Sequence, residues 1–171
     1  MKKKIIITIS WILVIAWMVV IFMFSNMYGK TSTDKSRGII KDTIETTVDT
    51  TNNAGITDIH PSEVTINKTV KTLDYPLRKV MHLTEYAILC LLFINALYQS
   101  GVKGKKLFII SILFCFVYAC TDEYHQLFRA RTGEFKDVLI DTVGASIGML
   151  IYLIGSKLFN KKSKKKKKNV Q

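Results

Sequence analysis

The chain has no cysteine pair at metal-site spacing, no glycine-rich phosphate loop and no dinucleotide fingerprint, and no nucleophile elbow is expected in it. It therefore lacks the usual signatures of zinc modules, nucleotide binders and Rossmann enzymes. Cysteine is scarce. Cys90, Cys115 and Cys120 are the only three, each inside an apolar run, and they read as small lipid-buried or core side chains rather than as disulfides or zinc ligands. Acidic residues are also few, 13 against 25 Lys and Arg. The run from Lys161 to Lys168 contains no aromatic residue for base stacking and follows directly on an apolar segment, so it reads as a solvated tail attracted to anionic headgroups, and no nucleic-acid partner is expected.

What the chain does have is apolar length. With 49% hydrophobic residues and a net charge of +12, the two properties have to be segregated, and they are: the excess basic residues lie at the N-terminus, between 103 and 106, and after 156. Four runs predict four membrane-spanning helices, at about 5–24, 77–98, 107–128 and 138–156. Ile5 to Phe24 is interrupted only by Thr8 and Ser10. It exceeds the usual core of a signal peptide, about 7 to 15 residues, and no small-x-small cleavage site follows it, which favours a retained span. Pro76 can start the second span but not continue one. The fold class expected is an all-α membrane protein, a four-helix transmembrane bundle with a loop, 25–76, between spans one and two.

Basic residues resist translocation and mark the cytoplasmic side. Fourteen of the 25 Lys and Arg precede span one, lie in the 99–106 turn, or follow Gly155, whereas all 13 carboxylates fall elsewhere. Both termini are therefore expected in the cytoplasm, with the tail 157–171, and the 25–76 loop outside. Within that loop Ile39, Ile40, Ile44 and Val48 stand at helical spacing, consistent with a short amphipathic helix on the outer surface or capping the bundle; a poorly ordered loop is the alternative. His60 has no partner nearby in sequence and is not read as a ligand.

The informative residues are ionisable ones inside spans, each costing roughly 2.5 to 3.5 kcal/mol at the bilayer centre unless satisfied. Span two carries Lys79 and, on one face, His82, Glu85, Tyr86 and Leu89. Glu85 falls about 13 Å along the helix from Pro76, too deep to be left unpaired. On span three Ser111, Cys115, Tyr118, Asp122, His125, Gln126 and Arg129 share one side, with Glu123 turned toward a different neighbour. On span four Asp137, Asp141, Gly144, Gly148 and Tyr152 form a stripe in which Gly144 and Gly148 permit close helix approach. Three stripes ending on one membrane face predict one cluster: His82, Glu85, Asp122, Glu123, His125, Gln126, Arg131, Asp137 and Asp141. A charge network that only fixes helix register is one reading; the quantity of charge favours a functional pocket.

These residues carry a resemblance. Arg78-Lys79-x-x-His82-x-x-Glu85-Tyr86, the run from Thr121 to Gly148 (TDEYHQLFRARTGEFKDVLIDTVGASIG), and Phe24-Ser25 with Ser32 and Ser36 are similar to the VanZ family over Phe24 to Gly148. The resemblance implies a multi-pass protein of the bacterial cytoplasmic membrane and cell envelope, associated with resistance to teicoplanin-type glycopeptides. It points to Lys79, His82, Glu85, Tyr86, Asp122, Glu123, His125, Gln126, Phe128, Arg131, Asp137, Asp141, Gly144 and Gly148. The chain departs from the family's common Pro-Gly before the arginine, having Arg129-Ala130 before Arg131.

Three activities fit such a site. One is an embedded hydrolase or transferase acting on a lipid-linked envelope precursor or lipid phosphate, with Asp122, Glu123 or Glu85 as base, His125 or His82 as proton partner, and Arg131 holding an anion. A divalent metal held by His82, His125 and the carboxylates is compatible with it, although the spacing matches no established ligand motif. The second is a non-catalytic pocket for an envelope lipid or the lipoglycopeptide itself. A proton- or ion-coupled transporter is disfavoured because the polar stripes fade below Ser111 and Tyr152.

Overall fold

The computed structural model describes the backbone of residues 2–25, 29–127 and 135–168, and the side chains of 2–25, 33–126 and 135–158. The described residues form five helices: α1 (Lys2–Ser25), α2 (Gly29–Asn53), α3 (Glu63–Gln99), α4 (Lys105–Leu127) and α5 (Phe135–Lys168). No strand occurs among them. Four stretches, Lys2–Ser25, Glu63–Gln99, Lys105–Gln126 and Phe135–Leu158, are long and apolar enough to cross a membrane. The chain is thus an all-α membrane protein built on a four-span bundle.

Each span turns two faces to different surroundings. Ile5, Ile12, Ile15 and Val19 of α1, Ile109, Leu113 and Val117 of α4, and Val143, Leu150 and Ile154 of α5 all point outward and exposed, an apolar belt suited to lipid. Inside, Val14, Ile21, Leu89, Phe93, Ile94, Leu97, Cys115 and Ala145 form the core, with Cys90 beside them. Phe93 stacks on Phe114 with ring centroids 3.9 Å apart, and Trp11 of α1 meets Phe93 edge-on at 5.6 Å. Hydrogen bonds knit α1 to the other spans: Trp11 Nε1 donates to Ser100 Oγ at 3.1 Å, and the Tyr118 hydroxyl to the Met18 carbonyl at 2.7 Å.

α3 is the hub, with its largest contact against α5 and others against α1, α2 and α4. At 37 residues it is about 55 Å long, well beyond the thickness of a hydrocarbon core of about 30 Å. Its start is set by Ser62, whose side chain accepts a hydrogen bond from the Thr65 amide, with Glu63 favourably placed in the first turn. At the far end Gly101, at a φ of 100°, turns the chain toward α4 while the Val102 amide reaches back to the Leu97 carbonyl at 3.0 Å.

The sequence expectation that Pro76 begins the second span is corrected: Pro76 lies inside α3. An interior proline costs about 3 kcal/mol, and contacts on both sides of it supply the compensation. Asp74, buried, receives the Ser36 hydroxyl of α2, lies 3.5 Å from Arg37 Nε, and pairs across the proline with Arg78 at 3.6 Å. Arg78 in turn donates to Thr33 Oγ1 at 3.0 Å. The buried stripe on α2 is Ser36 and Ile40, with Ile44 and Val48 half-buried, whereas Ile39 is exposed. Residues 25–76 therefore contain one long helix and the first part of another, docked together, rather than a short helix or an unstructured loop. α5 likewise continues past Ser156 to Lys168, since no glycine or proline follows Gly155 to stop it.

Candidate functional site

The polar residues of the spans collect at one end of the bundle, opposite the α3–α4 turn. Two glycines bring the elements together. A Cβ on Gly144 would collide with the Leu83 carbonyl and lie 2.9 Å from Leu83 Cα; one on Gly148 would collide with the Ala87 carbonyl and lie 3.0 Å from Ala87 Cα. Backbone therefore packs on backbone between α3 and α5, and this sets Asp141, one turn before Gly144, against the face of α3 that carries His82 and Tyr86. Gly144-Ala145-Ser146-Ile147-Gly148 does have the G-x-S-x-G spacing of a nucleophile elbow, but the run lies within a helix rather than on a strand-to-helix turn, with the Ser146 hydroxyl bonded to the Thr142 carbonyl at 2.9 Å, so this serine is not presented as a nucleophile.

Asp141 is fully buried, and neither of its carboxylate oxygens has a hydrogen-bond partner among the described residues. Its nearest basic neighbour among the described residues, His82 Nδ1, is 3.7 Å from Oδ1 and 3.9 Å from Glu85 Oε2, outside hydrogen-bond range of both. Asp122, Glu123, Asp137 and Glu85 are all near enough for their charges to act on Asp141, and all four are buried. The Tyr86 hydroxyl, also fully buried, is near enough to Asp122 and Asp141 for their charges to act on it and has no hydrogen-bond partner among the described residues either. A donor and an acceptor left unsatisfied in one cluster are the unusual feature here, because each costs about 1–3 kcal/mol.

The remaining partners are occupied. Gln126 Nε2 donates to Asp122 Oδ2 at 3.0 Å, holding that carboxylate in place. Lys79 is paired with Asp137 and lies over the Tyr75 ring at 4.9 Å. One donor atom from each of His82, Asp122 and Asp141 falls within 4.8 Å of the others. His125 instead packs its ring on Phe22 of α1, centroids 4.8 Å apart. Glu123, which the helical wheel turned toward another neighbour, is buried at the same end. Phe128, Arg129 and Arg131 lie outside the described residues.

Three features of this end were not anticipated. Trp17 of α1 donates its indole N–H to the Glu85 carbonyl at 2.9 Å, bringing the first span to the rim of the cluster. Asp74 anchors α2 beside it; the i, i+4 relation to Arg78 was the available signal. An apolar groove of about 470 Å³, lined by Phe108, Ile112, Phe116, Thr142 and Met149, runs between α4 and α5. It begins beside the cluster, since Thr142 follows Asp141, and extends about 10 Å along α5 toward Met149.

No curated protein and no solved structure matches the chain significantly. The family model described as VanZ/LLP1 does, over residues 10–158, which takes in most of α1, the membrane-crossing stretches of α3, α4 and α5, and every cluster residue above. The chain belongs to the VanZ/LLP1 family.

Proposed function

We propose that the chain binds an envelope amphiphile, its polar part in the cluster around Asp141 and its acyl chain in the groove between α4 and α5. The observation that carries this reading is the fully buried Asp141 carboxylate and, in the same cluster, the Tyr86 hydroxyl, neither hydrogen-bonded to any described residue. A bound polar group would satisfy both, accepting from tyrosine and donating to aspartate as a sugar hydroxyl can. The apolar groove opening next to Thr142 suits the hydrocarbon of the same molecule. The basic residues at the N-terminus, the 103–106 turn and the tail favour both termini in the cytoplasm, and with them a cluster at the outer face of a bacterial cytoplasmic membrane. A lipid-linked envelope precursor or the lipoglycopeptide itself is then the ligand class, and teicoplanin resistance the associated phenotype, as the family suggests.

A second reading has its own support. His82 flanked by Glu85 at 3.9 Å and Asp141 at 3.7 Å is an arrangement for proton transfer, which fits an embedded hydrolase or transferase on the same lipid-linked substrate. A purely structural role fits the Lys79–Asp137 pair better than it fits Asp141, which makes no hydrogen bond with the described residues.

The test is lipid mass spectrometry of the purified protein together with teicoplanin susceptibility of cells carrying Glu123→Ala, His125→Ala or Asp141→Ala. Co-purifying envelope amphiphile and lost protection are expected. Folded variants that keep both would overturn the pocket. Lost protection with altered precursor composition would select catalysis, and with unaltered composition, binding.

A further inference from the structure

We propose that His82, Asp122 and Asp141 bind one divalent metal ion of nitrogen and oxygen preference, zinc or manganese being the best suited. The three donors come from α3, α4 and α5, and all lie within 4.8 Å of one another. Around an ion with bonds of about 2.0–2.2 Å, tetrahedral donors stand about 3.4 Å apart. The His82 Nδ1 to Asp141 Oδ1 separation, 3.7 Å, is already close to that, and movements of about an ångström by the carboxylate rotamers would close the rest.

A carboxylate buried without a hydrogen-bond partner points the same way. Asp141 is fully buried, with both oxygens lacking a hydrogen bond among the described residues, as a ligand held for an ion would be. Gln126 fixes Asp122 through Oδ2, the kind of outer hydrogen bond that orients a ligating carboxylate. One imidazole and two carboxylates are donors for zinc or manganese rather than for soft copper sites.

The consequence for substrate rests on the amphiphile reading above. Carboxylates alone repel phosphate, whereas a divalent ion inverts the local sign and would let the same pocket take a lipid phosphate or pyrophosphate. Three protein ligands leave a position for that oxygen.

The test uses the full chain in detergent, stripped with chelator and titrated with zinc or manganese chloride by calorimetry. One ion per chain is expected, with affinity at least about 100-fold weaker in Asp141→Asn and His82→Gln. Metal should raise the melting temperature of the parent chain and not of the variants. Absence of stoichiometric binding, or binding that both variants retain, overturns the site. Should either variant fail to fold, electron paramagnetic resonance of the manganese-loaded parent labelled with ¹⁵N-histidine replaces it: nitrogen hyperfine coupling supports the site and its absence overturns it. Stoichiometric metal without any retained amphiphile would support the ion site while counting against the amphiphile reading.

Discussion

Gly148 of α5 rests on the backbone of Ala87 of α3, with room for a hydrogen atom and none for a methyl group. Gly144 stands in the same relation to Leu83 one turn earlier, so this pair sets the distance between the two helices that carry His82 and Asp141. Gly144→Ala or Gly148→Ala should therefore cost at least about 1–3 kcal/mol, the usual cost of overpacking, because the clash is with backbone and cannot be relieved by a rotamer change. Thermal unfolding in detergent checks this. Gly155→Ala is the control: nothing lies near its position, and its melting temperature should be unchanged or slightly raised.

The clasp between α2 and α3 is centred on Asp74. Replacing it with alanine strands Arg78 and Arg37 and frees the Ser36 hydroxyl, for an expected loss of about 1.5–3 kcal/mol given charged hydrogen bonds with partly exposed partners. The Lys41–Glu45 pair on the same helix is exposed on both sides, and Glu45→Ala should change stability by less than about 0.5 kcal/mol. Limited proteolysis within 29–53 separates the two, since undocking of α2 should expose that helix in Asp74→Ala alone.

Lys79 and Asp137 join α3 to α5 near the cluster. Lys79→Ala and Asp137→Ala should each be destabilising by about 2–3 kcal/mol, because each leaves a mostly buried charge without its partner. The exchange Lys79→Asp with Asp137→Lys should recover part of that loss. A double mutant no more stable than either single one would contradict the pairing.

Topology has a direct check. In a background with Cys90, Cys115 and Cys120 replaced by serine or alanine, a cysteine at Thr50 should react with an impermeant thiol reagent in intact cells, and one at Lys165 only after permeabilisation. The reverse pattern would place the cluster at the cytoplasmic face.

Much of the bundle was legible because lipid imposes a simple rule: a span must be a long apolar run, and those of α1, α4 and α5 stand out in the chain. The convergence of His82, Asp122 and Asp141 was legible for a related reason, since charged residues at helical spacing inside apolar runs are too costly to face lipid. Pro76 was misread because its compensation comes from Ser36 and Arg37, far away in sequence, and local propensity says nothing of a tertiary contact. The docking of α2 was hidden likewise: its stripe includes Ser36 beside Ile40, and a polar residue that meets Asp74 does not look like an interior position. The aim of Trp17 at the Glu85 carbonyl and the lean of His125 toward Phe22 depend on how α1 is rotated, which no periodicity within α3 or α4 encodes.

Asp141 distinguishes a working site from a structural one most sharply, because its carboxylate makes no hydrogen bond with the described residues. The deciding measurement is made on Asp141→Asn: melting temperature of the purified protein, with parent and variant both stripped by chelator, and teicoplanin susceptibility of cells expressing it. A melting temperature equal to or above the parent's, together with lost protection, is the result expected of a charge retained for function at some cost in stability. A melting temperature several degrees lower with protection intact would contradict it and leave the cluster as a network that only fixes the helices.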